Sequence, residues 1–325
     1  MELTSSAGSE FVTRSDLESL LAAVESRSAD RNAGIFGPDS VTWRINRESA
    51  LFLGAGRAAL LQLAHPWVAA ALAEHSNLLS DPIRRFHGTF RVVFTMVFGS
   101  LHQALAAARS LHTLHVRIRG ELIEDVAGWH RGTNYEANEI AGLRWVYATL
   151  VESAVLAYEC ALGPLDQEAR EQYYQESRTF ASLFGIPADA LPSGWNSFAA
   201  YNQEMRASSV LGVSQGARAM AHSLLAGSET KPQWIKPPHW YRALTTEWLP
   251  ERFRAEFELP FDAPEQRAAE RARRRLPGIY RRLPRVVRFT GPWREAQARI
   301  VGRCPGKLTQ WSNRFWIGQP MLPFA

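Results

Sequence analysis

Residues 57–73 read Arg-Ala-Ala-Leu-Leu-Gln-Leu-Ala-His-Pro-Trp-Val-Ala-Ala-Ala-Leu-Ala. Ala58, Leu60, Leu61, Leu63, Trp67, Val68 and Leu72 spread around every side of the helix that this run would form. A helix apolar all round belongs in a protein core. It is too short for a membrane span, and Gln62, His65 and Pro66 interrupt it. Pro66 has no backbone N–H, so the carbonyl of Gln62 loses its helical partner and a kink is expected there.

Working outward, the same helical period recurs. Leu101, Leu105, Ala108, Leu111 and Leu114 fall at three- and four-residue steps within 100–126. Leu143, Val146, Leu150, Ala154 and Ala157 trace an apolar face over 138–162. Further helices are predicted over 168–184, ended by Gly185 and Pro187, and over 197–207 and 214–225. Alternating strand-like runs are scarce, and 116–122 is the best of them. The loops at 128–133, 185–194 and 227–238 suit turns between packed helices rather than domain boundaries. The expected fold is all-α, in one domain over 35–325. Residues 1–34 are expected to form a flexible, polar lead-in holding a short helix from Asp16 to Ser26.

Composition sets the outer limits. A hydrophobic share of 46% over 325 residues supports a large core, and eleven tryptophans can wall a flat apolar ligand. The net charge of +5 owes much to arginines between Arg267 and Arg288. The stretch Arg271–Arg288 suits a weak contact with an anionic surface. It equally suits a solvated helix face whose arginines pair with Glu265, Glu270 or Glu295. No nucleic-acid-reading motif accompanies it, so no nucleic-acid partner is expected. Cys160 and Cys304 lie far apart in no paired spacing, against a disulfide framework or a structural zinc site. The N-terminus lacks the apolar core of a secretory signal, so a soluble, cytoplasmic protein is expected.

Several chemistries are excluded by their missing context. Gly54-Ala-Gly56 has the look of a dinucleotide loop, but no strand–helix–strand alternation surrounds it. Close approach to a neighbour or a cofactor is the better reason for those glycines. His112 and His115 stand one helical turn apart, without the carboxylate or further histidine that a metal centre needs. No G-x-S-x-G elbow and no phosphate-binding loop occur.

An ordered set of short motifs carries more. It begins with Gly54-Ala-Gly-Arg-Ala-Ala-Leu-Leu-Gln-Leu-Ala-His65-Pro66-Trp-Val, His75-Ser76 and Asp81-Pro82-x-x-Arg85-x-x-x-Thr89. It continues with His115-Val-x-x-x-Gly120, Tyr135-x-Ala-Asn138 and Leu143-Arg-Trp-Val-Tyr-Ala-Thr-Leu-Val-Glu-Ser153. Tyr158-Glu159, Tyr173-Tyr174, Leu183-x-Gly185-Ile186-Pro187 and Leu191-Pro192 follow in order. Over roughly 36–302 this series resembles the rubber-oxygenase, or latex-clearing-protein, family of MpaB type.

The resemblance implies a helical bundle enclosing a haem b pocket, and oxidation of a small or medium apolar substrate (isoprenoid, lipid or natural product) by dioxygen or peroxide. In the family's haem proteins the axial ligand is a histidine in a Trp-Val-His-Ala-Thr segment; Tyr147 stands at that position here. A tyrosine can bind ferric iron as phenolate if a nearby cation helps to lower its pKa, and Arg144 precedes it by one helical turn. Alternatively His65 serves as the ligand, or haem is absent and Tyr147 only fills the histidine's space. Arg85 and Thr89 match the family's arginine and threonine on the opposite wall. Arg85 would hold a propionate or polarise oxygen, or else pair with Asp81, and Thr89 would donate a hydrogen bond. Gly88 stands where rubber-cleaving members carry lysine. Two other classes stay open: a non-catalytic carrier of haem or another hydrophobic ligand, and a haem-free interaction protein.

Overall fold

The computed structural model describes residues 10–76, 81–226 and 237–323. The chain runs α1 (Arg14–Arg27), α2 (Val41–Asn46), a 3-10 turn (Ser49–Gly54), α3 (Ala55–Leu63), α4 (Pro66–His75), α5 (Pro82–Phe98) and α6 (Leu101–His115). Strands β1 (Arg119–Glu121) and β2 (Asn134–Glu136) form a two-stranded antiparallel ribbon with Gly120 opposite Tyr135. Then come α7 (Ile140–Leu162), α8 (Gln167–Ser182), α9 (Trp195–Ala207), α10 (Gln215–Ala226), α11 (His239–Glu247) and α12 (Glu251–Glu256). The series ends with α13 (Ala263–Arg282), α14 (Arg285–Arg288), α15 (Gly291–Ile300) and α16 (Lys307–Ile317). The fold is all-α, as expected.

The long apolar helix α7 is the axis of the bundle. It packs on α3, on the 3-10 turn and on α13, with α8 beside it. Its composition and length would suit a membrane span, with a mean hydropathy of 1.3, yet 56% of that stretch is buried inside the protein. Burial here is helix on helix: Trp145 donates its indole N–H to the carbonyl of Leu61 at 2.8 Å. The glycine at the entry to α3 explains how closely the two helices meet. A Cβ on Gly54 would stand 2.4 Å from the carbonyl oxygen of Ser153.

The run that begins at Arg57 is buried as expected, but it is two helices rather than one bent helix. His65 adopts extended backbone angles (φ −91°, ψ 116°) and caps α4, whose first residue is Pro66. At that position the missing N–H costs nothing, because a first-turn N–H has no intrahelical partner. The 100–126 helix is likewise shorter than the periodicity suggested. It ends at His115, and the chain turns into β1, which falls within the run read as weakly strand-like.

Residues 1–9 of the lead-in lie outside the described residues, and the rest holds the expected short helix, α1. Thr13 and Asp16 form a reciprocal cap on α1. Leu17, Leu21 and Val24, at helical spacing, are buried in the main core against α6 and α8. The loop at 227–238 falls almost wholly outside the described residues.

Most arginines of the basic stretch face solvent on α13 and α14. Those that pair use carboxylates other than the expected ones: Arg288 meets Glu48 at 3.0 Å and Arg273 approaches Glu247 at 3.9 Å.

Candidate active site

A narrow cleft runs through the middle of the bundle. Thr89, Phe90, Val93 and Val97 of α5 form one wall; Leu150, Val151, Ser153 and Ala154 of α7 face it. Gly54 at the end of the 3-10 turn and the small side chains of Ala55 and Ala58 at the start of α3 leave the cleft room, while Thr42, Asn46, Tyr173, Ser177 and Phe180 close the third side. The cleft has a cavity volume of about 60 Å³, within about 650 Å³ of empty space that takes in its open mouth. It is therefore thin. A void of that shape favours a flat or slender apolar guest over a globular one.

Thr89 lies on the cleft wall. Its hydroxyl donates to the carbonyl of Arg85 at 3.1 Å, so it offers the cleft lone pairs and gives up its proton only on rotating. Arg85 sits one turn away. Its side chain is open to water but crowded by protein atoms, as in a recess, and this desolvation lowers its pKa. Among the described residues its guanidinium makes no hydrogen bond or ion pair. Asp81 instead caps α5 through the backbone N–H of Arg84 at 3.1 Å. Across from Arg85, burial holds His115 neutral with a pKa of about 4, helped by the charge of Arg85.

Tyr147 sits at the inner edge of the cleft rather than in it. It is 1% exposed and packs edge-on to Phe198. Its hydroxyl shares a 2.6 Å hydrogen bond with Ser177 Oγ, which itself lines the cleft. Burial raises the phenol's pKa well above its ordinary value, against a smaller lowering by Ser177. Arg144 does not stand beside that hydroxyl. It donates to the carbonyl of Ala190 at 2.9 Å and lies over the ring of Tyr201, 4.8 Å from its centroid. The two side chains leave α7 in different directions, Arg144 toward the loop after α8 and Tyr147 into the α8–α9 core.

His65 is 2% exposed, with Nδ1 lacking any hydrogen-bond partner. Trp67 and Trp129 flank it, and burial pushes its pKa down to about 4. It is a neutral imidazole at physiological pH, but it lies past the end of α3 and is not part of the cleft wall. His112 Nε2 donates to the carbonyl of Val12, 3.1 Å away, holding the start of α1 in place. No group of three or more metal-ligating side chains exists among the described residues.

Two features went unread in the sequence. Ser177 looks like any mid-helix serine, and nothing local marks it as the partner of Tyr147. The second did leave a signal, a lone charge in an apolar run. Arg57 is buried and donates to Glu152 at 2.6 Å, to Ser153 Oγ at 2.8 Å and to the carbonyl of Trp248 at 3.1 Å. Arg206 grips the same Glu152 carboxylate at 2.7 Å. Burial pushes Glu152 upward in pKa, but the two guanidinium groups prevail and hold it below the usual range. This ionic clamp locks the cleft's floor, because Ser153 is both a member of it and a cleft residue.

Fold and site together define an all-helical protein with a thin, mainly apolar cleft between α5 and α7. A family profile described as ER-bound oxygenase mpaB/B'/Rubber oxygenase, catalytic domain, matches residues 42–289, and the chain belongs to that oxygenase family. No match is found among curated proteins or among solved structures.

Proposed function

We propose that the protein is a haem b-dependent oxygenase that oxidises a small or medium apolar molecule in the α5–α7 cleft, drawing on dioxygen or peroxide. One observation carries the reading: Arg85, partly desolvated and without a hydrogen bond or ion pair among the described residues, stands one turn from Thr89, which lines a thin apolar cleft, while Tyr147 shares a hydrogen bond with the cleft residue Ser177. A guanidinium crowded by protein, with no counter-charge among the described residues, fits a propionate carboxylate, which it would hold as a charge-assisted pair.

Tyr147 is the residue that would meet iron. Its hydroxyl would have to leave Ser177, a hydrogen bond worth about 1 kcal/mol, and give up its proton against the burial that raises its pKa, so that the iron itself and not Arg144 would have to hold the phenolate. When bound, haem supplies an iron centre at which an oxygen species is activated. The chain supplies the rest. Phe90, Val93, Leu150 and Ala154 exclude water and align an apolar chain along the cleft. Thr89 orients a polar atom through its lone pairs. The Arg57–Glu152–Arg206 clamp keeps α3 and α7 at fixed separation, so the cleft keeps its width. Gly88 leaves open space where a Cβ would meet nothing within 4 Å, which favours substrates that need no lysine at that place.

An absorption spectrum of protein expressed with ample haem supply tests this. A Soret band at stoichiometric iron, shifted in Tyr147→Phe and weakened in Arg85→Ala, is expected. Colourless protein overturns the haem reading. The bond from Tyr147 to Ser177 favours a second reading, a carrier of another flat or slender apolar ligand. Colourless protein that still binds such a ligand with Tyr147→Phe unaffected would establish it.

A further inference from the structure

We propose that α16 docks the protein on an anionic lipid bilayer, inserting Leu308, Trp311 and Phe315 among the headgroups. These side chains fall at i, i+3 and i+7, on a single arc of the helix. They are 57%, 65% and 57% exposed, whereas soluble proteins seldom display three large apolar side chains in one row. Trp311 and Phe315 lie nearly parallel, with ring centroids 6.4 Å apart. The opposite side of α16 is fully engaged: Ser312, Asn313 and Ile317 are buried.

The row is not a loose tail. His87 Nε2 lies 3.0 Å from the carbonyl of Phe315, and Arg91 donates to the carbonyl of Ile317 at 3.1 and 3.2 Å. Gly318 ends the helix at φ +70°, and a Cβ there would stand 2.7 Å from His87 Nδ1. The aromatic face is thus held rigid while exposed, so its ordering cost is already met before any contact.

Charge selects the occupant. Lys307 and Arg314 flank the arc at its edge, both exposed, and Arg303 precedes the helix. From Ala296 to the last residue the sequence holds Arg299, Arg303, Lys307 and Arg314 and no aspartate or glutamate. A row of tryptophan, phenylalanine and leucine rimmed by cations matches the acyl–headgroup boundary of an anionic leaflet, where indole sits well and lysine or arginine meets phosphate. A second copy of this chain would bring the same cations to face their own kind, which disfavours self-association.

Docking does not depend on the oxygenase reading, but it would give that reading a substrate source. Behind α16, Trp316 stacks on Phe52 at 3.7 Å, and Phe52 packs on Phe90 at 4.6 Å. Phe90 lines the cleft. An aromatic path therefore joins the docking face to the cleft.

The test is flotation of the full-length protein with phosphatidylcholine–phosphatidylserine vesicles and with pure phosphatidylcholine vesicles, together with quenching of tryptophan fluorescence by bromolipid. Binding to the anionic vesicles is expected, weakened at least about tenfold in Trp311→Ser/Phe315→Ser and in Lys307→Glu/Arg314→Glu. All four side chains are exposed, so the variants should keep the wild-type circular dichroism. Vesicle binding that ignores both double substitutions overturns the proposal, as does absence of binding. A wild-type dimer that the aromatic substitutions disperse also overturns it, in favour of self-association. Haem content plays no part in this readout, so its failure and that of the oxygenase reading are distinguishable.

Discussion

The hydrogen bond between Tyr147 and Ser177 is the contact on which the site's chemistry turns, and a mutant cycle measures it. Tyr147→Phe keeps the ring against Phe198 and removes only the hydroxyl. Ser177 then still donates to the carbonyl of Tyr174 at 2.7 Å, so no donor is stranded. The expected cost is about 1 kcal/mol, the ordinary net worth of a buried hydrogen bond. Ser177→Ala is harsher, because it leaves the phenol hydroxyl buried with no partner; about 2 kcal/mol is expected. The double variant strands nothing and should cost about 2 kcal/mol as well, less than the sum by about 1 kcal/mol. Urea unfolding followed by far-ultraviolet circular dichroism reads all three. Strict additivity would refute the reasoning, since the two hydroxyls would then not be each other's partner. A loss above about 3 kcal/mol in Tyr147→Phe would refute it too, by showing that the ring had moved.

Other consequences follow from the same geometry. Glu152 is held below its ordinary pKa of 4.5, so its stabilising charge is complete above that pH and is lost as pH falls through the depressed folded value. Glu152→Gln should therefore destabilise the protein at neutral pH, by about 3 kcal/mol, and flatten the acid limb of its stability profile. Glu139 behaves oppositely: burial, with help from Glu10, raises it to about 7. It keeps its proton in the fold at mildly acid pH and becomes a liability as pH rises toward and past 7, where Glu139→Gln should gain about 1 kcal/mol in thermal or urea melts. Gly88→Ala, whose Cβ meets open space inside α5, should stabilise by about 0.5–1 kcal/mol. Gly54→Ala, driven against the Ser153 carbonyl at 2.4 Å, should cost more than about 2 kcal/mol, and equal effects of the two would contradict the packing described.

Helical identity was legible because it is written in local periodicity, and α7 begins within two residues of its expected start. What local pattern does not encode is direction. Arg144 and Tyr147 are near neighbours on any helical wheel, yet one reaches the carbonyl of Ala190 and the other Ser177, because different helices pack on adjoining strips of α7. Arg85 and Thr89 stand one turn apart on α5, where Thr89 reaches the cleft, while Asp81 caps the start of the helix through the N–H of Arg84. Leu17 and Leu21 were hidden by the polar residues around them, although their spacing already carried the amphipathic signal.

The thinness of the cleft has a kinetic side. A guest that fills it must thread between closely packed side chains, since interiors this dense do not stretch continuously. Entry and departure then require the helices around the gap to part for a moment, and the ionic lock resists the separation of α3 from α7 at the cleft floor. Whatever occupies the gap should exchange slowly, on the clock of helix separation rather than of diffusion, and loosening Arg57 should shorten its residence.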